Sequence, residues 1–183
     1  QGDSPLTKLL SIDHYRGAKN IAQLLIENGA NKYHANKEGY TALEIAIRNQ
    51  YEDVLMGIYK GYDMNYKNPT TGDTFLLTAS KVKFTTPQRF FLIFLNKGDE
   101  ITSLTNCDKD GNNALVSSIL CSNGRTAKLF ALRYKELLQK KGKTISFCLS
   151  IAKALDCAIK TENHKAISNI AGIESDNGIY YVV

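Results

Sequence analysis

Residues 39–55 read GYTALEIAIRNQYEDVL. A single glycine leads into a Thr-Ala-Leu start, and Leu43, Ala46 and Ile47 fall on one helical stripe. After a short break, Val54, Leu55 and Ile58 form a second stripe, so the stretch encodes two short helices that face each other. One such hairpin cannot bury both sides of its stripes. Neighbours of the same kind have to stack on it, and the rest of the sequence should contain them.

It does. GDTFLLTA at 72–79 repeats GYTALEIA at 39–46 after 33 residues, and GNNALVSS at 111–118 repeats it after a further 39. Upstream, NIAQLL at 20–25 sits 33 residues before DVLMGI at 53–58 and runs into Glu27-Asn-Gly-Ala-Asn31. Downstream, ALDCAIKTENHKAISNI at 154–170 aligns with ALEIAIRNQYEDVLMGI at 42–58, matching Ala154 to Ala42, Leu155 to Leu43 and Ile159 to Ile47. A period near 33, a turn glycine, a Thr-x-Leu-x-x-Ala helix start and an Asn-Gly-Ala helix end resemble ankyrin repeats.

The resemblance runs over residues 4–172 and is clearest in the second unit. It departs from the family pattern in that proline precedes leucine only at Ser4-Pro5-Leu6, and the usual histidine is replaced by Glu44, Leu77, Val116 and Asp156. The fold it implies is all-α, an ankyrin-like solenoid of about five stacked helix-turn-helix repeats with short hairpin fingers. The approximate repeats are 4–35, 36–66, 67–105, 106–143 and 144–172, followed by a tail at 173–183 that breaks from the pattern.

Local chemistry agrees with that organisation. Gly39, Gly72 and Gly111 are placed to supply a positive-φ turn ahead of each first helix, and Asn36 and Asp108, three residues earlier, can bond their own backbone to close it. Ala46, Ala79 and Ala158 are small enough for close helix approach, with Ser118 in the same role. Ser4-Pro5 and Thr86-Pro87 each put a capping side chain before a proline suited to a first helical turn, the latter leading into Phe90, Phe91, Phe94 and Leu95 as a core helix. A long helix over 126–141 carries Leu129, Leu132, Leu137 and Leu138. Another over 145–160 carries Ile145, Leu149, Ala152, Leu155 and Ile159.

Composition narrows the function classes. Lys and Arg exceed Asp and Glu by 23 to 18, too small an excess to argue for nucleic acid, and no apolar run is long enough to span a bilayer. Cys107, Cys121, Cys148 and Cys157 lack C-x-x-C spacing and read as free core thiols of a reducing, cytoplasmic compartment. With no initiating Met and a Gln1-Gly2 start, the chain reads as a piece excised from a longer one.

Catalytic and metal motifs fail on inspection. Asp108-Lys-Asp-Gly-Asn-Asn113 has the oxygen ligands of a calcium loop at its first, third and fifth positions, but Asn113 and Ile119 stand where glycine and a bidentate glutamate belong. Cys157 and His164 lie seven apart without an orienting acid, and the plainer reading is a structural cysteine and an exposed histidine. Neither a phosphate loop nor a metal-ligand cluster is present, so the sequence implies no enzyme and no cofactor. The basic stretch 133–143 reads as a helix end whose Lys and Arg favour the helix dipole, with Glu136 and Lys140 paired.

The resemblance implies instead a protein-protein interaction module, monomeric, that binds a partner protein through its concave finger and inner-helix surface. It points to the variable turn and post-helix positions: Lys37, Glu38, Tyr40, Arg48 and Asn49 in the second unit, Thr70, Thr71, Asp73 and Lys81 in the third, and Lys109, Asp110 and Asn112 in the fourth. Tyr33, Tyr40 and Tyr66 fall in the fingers, where exposed aromatics can anchor a partner, whereas Tyr51 and Tyr59 fall in a second helix and pack. The alternative is a substrate-targeting domain of a larger enzyme. Its Asn-, Lys- and Ile-rich divergent repeats are also similar in style to ankyrin effectors that intracellular bacteria secrete into host cells.

Overall fold

Each first helix begins where a short polar side chain can take up an orphan backbone N–H. Ser4 accepts from the Thr7 N–H at 3.2 Å, Thr41 from Glu44 at 3.4 Å, Thr74 from Leu77 at 3.3 Å and Asn113 from Val116 at 2.9 Å. In a computed structural model that describes residues 2–12, 17–84, 93–94, 100–141, 152–154, 157 and 159–160, these caps open helices at a recurring register. In chain order the helices are α1 (Pro5–Leu10), α2 (Ala18–Glu27), α3 (Ala42–Arg48), α4 (Glu52–Ile58), α5 (Phe75–Lys81), α6 (Glu100–Thr105), α7 (Ala114–Leu120) and α8 (Gly124–Lys141). Residues 152–154, 157 and 159–160 are helical as well, and among the described residues there is no β-strand.

The helices stack in two rows. Helix α1 packs on α3, α3 on α5 and α5 on α7 to form the inner row, while α2 packs on α4, and α1, α3 and α7 lean on α2, α4 and α8. The stripes read from 39–55 are the core: Leu43, Ala46, Ile47, Val54, Leu55 and Ile58 are all buried. Burying each Leu, Ile or Val of this set stabilises by about 1.5–3 kcal/mol relative to exposure. Helices α3 and α7 end alike, with Gln50 and Ser122 in the left-handed region at φ 57° and 53° and the next N–H returning to a helical carbonyl.

Between units the chain makes a short finger. Asn36, Asn68 and Asp108 each donate their N–H back across the turn, to the carbonyls of Tyr40, Asp73 and Asn112 at 2.9, 2.9 and 3.0 Å. Gly39 and Gly72 turn the chain at φ 85° and 78°. A Cβ on Gly39 would collide with Thr70, and one on Gly72 would come within 2.6 Å of Lys109 Cγ, so the fingers nest tip over glycine.

Several expectations need correction. In α8 the buried stripe is Ala127, Phe130, Ala131, Tyr134 and Leu137; Leu129 is half-buried and Leu132 is 48% exposed. Helix α6, with Leu104 fully buried, was not expected, and it lies in the unit that carries the 39-residue spacing. Near the C-terminal end Ala154 is buried, but Ala152 and Ile159 are exposed. Tyr51 and Tyr59 cap α4 rather than lie within it. Cys107, Cys121 and Cys157 are free but only half-buried. Phe90, Phe91, Leu95, Ile145, Cys148, Leu149, Leu155, His164 and the 173–183 tail lie outside the described residues.

Candidate functional site

The finger tips are set by their own turns. The Asn36 side-chain oxygen accepts from the N–H groups of Glu38 and Tyr40 at 3.0 and 2.9 Å, which leaves the side chains of Lys37 and Glu38 exposed at the tip. Asn68 does the same for Thr70 and Thr71, and Asp108 for Asp110 and Asn112. Thr70, Lys109 and Asp110 are exposed, while Thr71 and Asn112 are half-buried. The Asp108 oxygens that resembled a calcium ligand set are thus engaged in the turn and with Lys81, and among the described residues no cluster could hold a metal ion.

Along the inner face, equivalent positions carry different chemistry. Arg48 lies over the Tyr40 ring at 4.3 Å, a cation–π stack running the length of α3. The same two positions one unit on, Asp73 and Lys81, form an ion pair at 2.8 Å, and Lys81 also reaches Asp108 at 3.3 Å. Burial pulls the Lys81 ammonium pKa down, but the hydrogen bond and charge of Asp73, with Asp108 behind them, outweigh it and leave the pKa raised. In the next unit the pair is Asn112 and Leu120, and Leu120 is 49% exposed. The sequence reading passed over Leu120; carrying the Arg48 to Lys81 register one unit further would have found it.

Some candidates serve the scaffold. The Asn49 amide donates to the Leu10 carbonyl at 3.1 Å, tying the second unit to the first. Lys109 donates to the Thr70 carbonyl of the preceding finger. Tyr33 and Tyr66 form a ladder with Tyr62 and Phe75, with centroids 4.6 Å apart for Tyr33 and Tyr66 and 5.5 Å apart for Tyr62 and Phe75. Burial, with the Tyr33 and Glu44 charges adding, pushes the Tyr62 phenol well above its ordinary range. All three finger tyrosines are half-buried against the core, and Tyr40 differs in stacking under Arg48 instead of joining the ladder.

In the basic stretch, Arg133 pairs with Glu136 at 2.5 Å, and the Lys140 side chain lies outside the described residues. An open cleft of about 880 Å³ between the start of α2 and the α3–α4 turn is lined by Lys19, Asn20, Glu52 and Asp53 among others. Among the described residues no helix is long and apolar enough to cross a membrane.

No protein-family model and no curated protein matches the sequence. The structure is similar to the crystal structure of the ankyrin repeat domain of Bcl-3, a member of the IkappaB protein family. The TM-score is 0.69 over 94% of this chain and 72% of that one, at 17% identity. Identity that low carries the architecture and nothing finer: in fold, the chain is an ankyrin-repeat solenoid with divergent repeats.

Proposed function

We propose that the chain is a protein-interaction module whose partner seats on the finger tips and inner-helix ends. One observation carries the reading. The residues that build each finger recur in kind, as Asn36, Asn68 and Asp108 with Gly39, Gly72 and Gly111, while the tips they present change from Lys37-Glu38 to Thr70-Thr71 to Lys109-Asp110. A fixed scaffold with varied tips suits recognition, because side chains ordered before binding lower its entropy cost.

The test is affinity capture from lysate with the 183-residue chain against a Lys37→Glu/Asp110→Lys variant, both checked for helix content by circular dichroism. Both side chains are exposed, so the variant should fold and lose the wild-type partner by at least about tenfold. A partner held equally by both proteins would remove the fingers from the binding face.

A further inference from the structure

The groove floor is narrower than a whole helix face. In α3 every residue from Ala42 to Ile47 is buried, and Arg48 is the first that is exposed. In α5, Phe75 to Ser80 are buried and Lys81 is half-buried; in α7, Ala114 to Ile119 are buried and Leu120 is exposed. From α3 to α7, each inner helix therefore offers the groove one side chain at the same register, whereas α1, at the end of the row, exposes Pro5 and Lys8.

Those three side chains are not equivalent. Lys81 is already neutralised by Asp73 and Asp108. Arg48 rests on Tyr40, and no carboxylate among the described residues pairs with it, so its guanidinium can still take a carboxylate in bidentate fashion. Leu120 is apolar and half in solvent. Along the groove the floor thus reads cationic, neutralised, apolar.

We infer that the groove selects an extended segment of a partner protein that sets an Asp or Glu on Arg48 and a Leu, Ile or Phe on Leu120. This rests on the groove being the binding face. Packed helices lie about 8–10 Å apart, so two steps from α3 to α7 span roughly 16–20 Å. An extended chain rising about 3.3 Å per residue covers that in about five to six residues, in either chain direction. A single line of accessible side chains suits such a strand, whereas a helix would need a broader floor.

A synthetic peptide array tests this. Peptides of about a dozen residues, Gly/Ser/Thr-rich, carry Glu, Lys or Gln at a varied distance from Leu. The wild-type chain should retain the Glu peptides best at a spacing of about five to six. Arg48→Glu should weaken them by about tenfold or more and favour the Lys series, and Leu120→Lys should abolish the preference for Leu while leaving that for Glu. Peptides bound without a Glu preference, or unaffected by Arg48→Glu, yet lost by Lys37→Glu/Asp110→Lys, overturn the inference and leave the groove standing. Binding indifferent to groove and finger variants alike, or no retention at all, overturns both.

Discussion

The junction between the second and third helix pairs and the junction between the third and fourth share a register and differ in chemistry. At the first, Glu44 is buried and accepts from the Thr41 N–H at 2.7 Å, the Thr41 hydroxyl at 2.8 Å and the Asn68 amide at 2.7 Å. Asn68 also donates to the Gly39 carbonyl at 2.8 Å, so one side chain clamps the finger of the neighbouring unit. At the second junction Leu77 and Val116 fill the position of Glu44, and polar contact moves to the rim. There Lys81 bridges Asp73 and Asp108, and the Asn123 amide takes the Ser80 and Val82 carbonyls at 3.3 and 2.7 Å. The stack keeps its geometry whether a position is filled by a satisfied buried acid or by hydrocarbon, because either leaves no orphan polar group.

The largest break in this comparison should come from Glu44→Ala. It strands the Thr41 N–H and one Asn68 amide hydrogen in a buried site, a loss of about 2–4 kcal/mol by urea unfolding. Val116→Ala at the matching position should cost roughly 1–2 kcal/mol, a small cavity alone. The two junctions also differ in pH response. Burial raises the Glu44 pKa, only partly opposed by the Thr41 and Asn68 hydrogen bonds, and Asp73 adds to the rise. A raised carboxyl contributes stability that is fully present below its unfolded value and is lost as pH rises through the folded one. Glu44→Gln should therefore flatten the fall of the urea midpoint as pH rises above the ordinary glutamate value, and an unchanged slope there would show that Glu44 does not titrate in the fold.

A smaller difference should appear between the fingers. Gly39→Ala meets both a left-handed φ, worth about 1–2 kcal/mol, and the body of Thr70. Gly111→Ala meets the same kind of φ, 73°, but only the flexible end of Lys153. Gly39→Ala should be the more destabilising by about 1 kcal/mol. Equal losses would mean that the finger over Gly39 yields as easily as a lysine tip.

What the sequence reveals follows from how local each signal is. Turn glycines, the Ser4 cap and the 39–55 stripes are complete within a few residues, and those readings agree with the structure, whereas the Thr86-Pro87 cap lies outside the described residues. Asn68 was missed as a finger closer because it stands four residues before its glycine, where Asn36 and Asp108 stand three. In α8, of the leucines read from the sequence Leu137 joins the buried face, but Leu132 is exposed, and the small Ala127 and Ala131 with Phe130 and Tyr134 make up the rest, a choice made by the neighbouring unit. The tyrosine ladder was illegible for the same reason: Tyr33, Tyr62, Tyr66 and Phe75 meet only once units have stacked. Leu120 needed no structure, only the register carried on.

The smallest effect, and the most direct test of the rim at the second junction, is Lys81→Met. The variant keeps the hydrocarbon stem and removes the charge between Asp73 and Asp108, whose side chains are 12% and 8% exposed against 35% for Lys81. Solvent reaches and screens the Lys81 end, while the two aspartates are largely covered, so the loss should be about 1 kcal/mol, shrinking as salt is raised. Because the folded Lys81 pKa is raised, its contribution is fully present below the ordinary lysine value and is lost as pH rises through the folded one. Wild type and variant should therefore differ by a constant amount through neutral pH and converge in alkali. If the variant matches wild type at low salt, the rim charges add nothing, and hydrocarbon with the Asn123 clamp suffices where the preceding junction uses a buried acid.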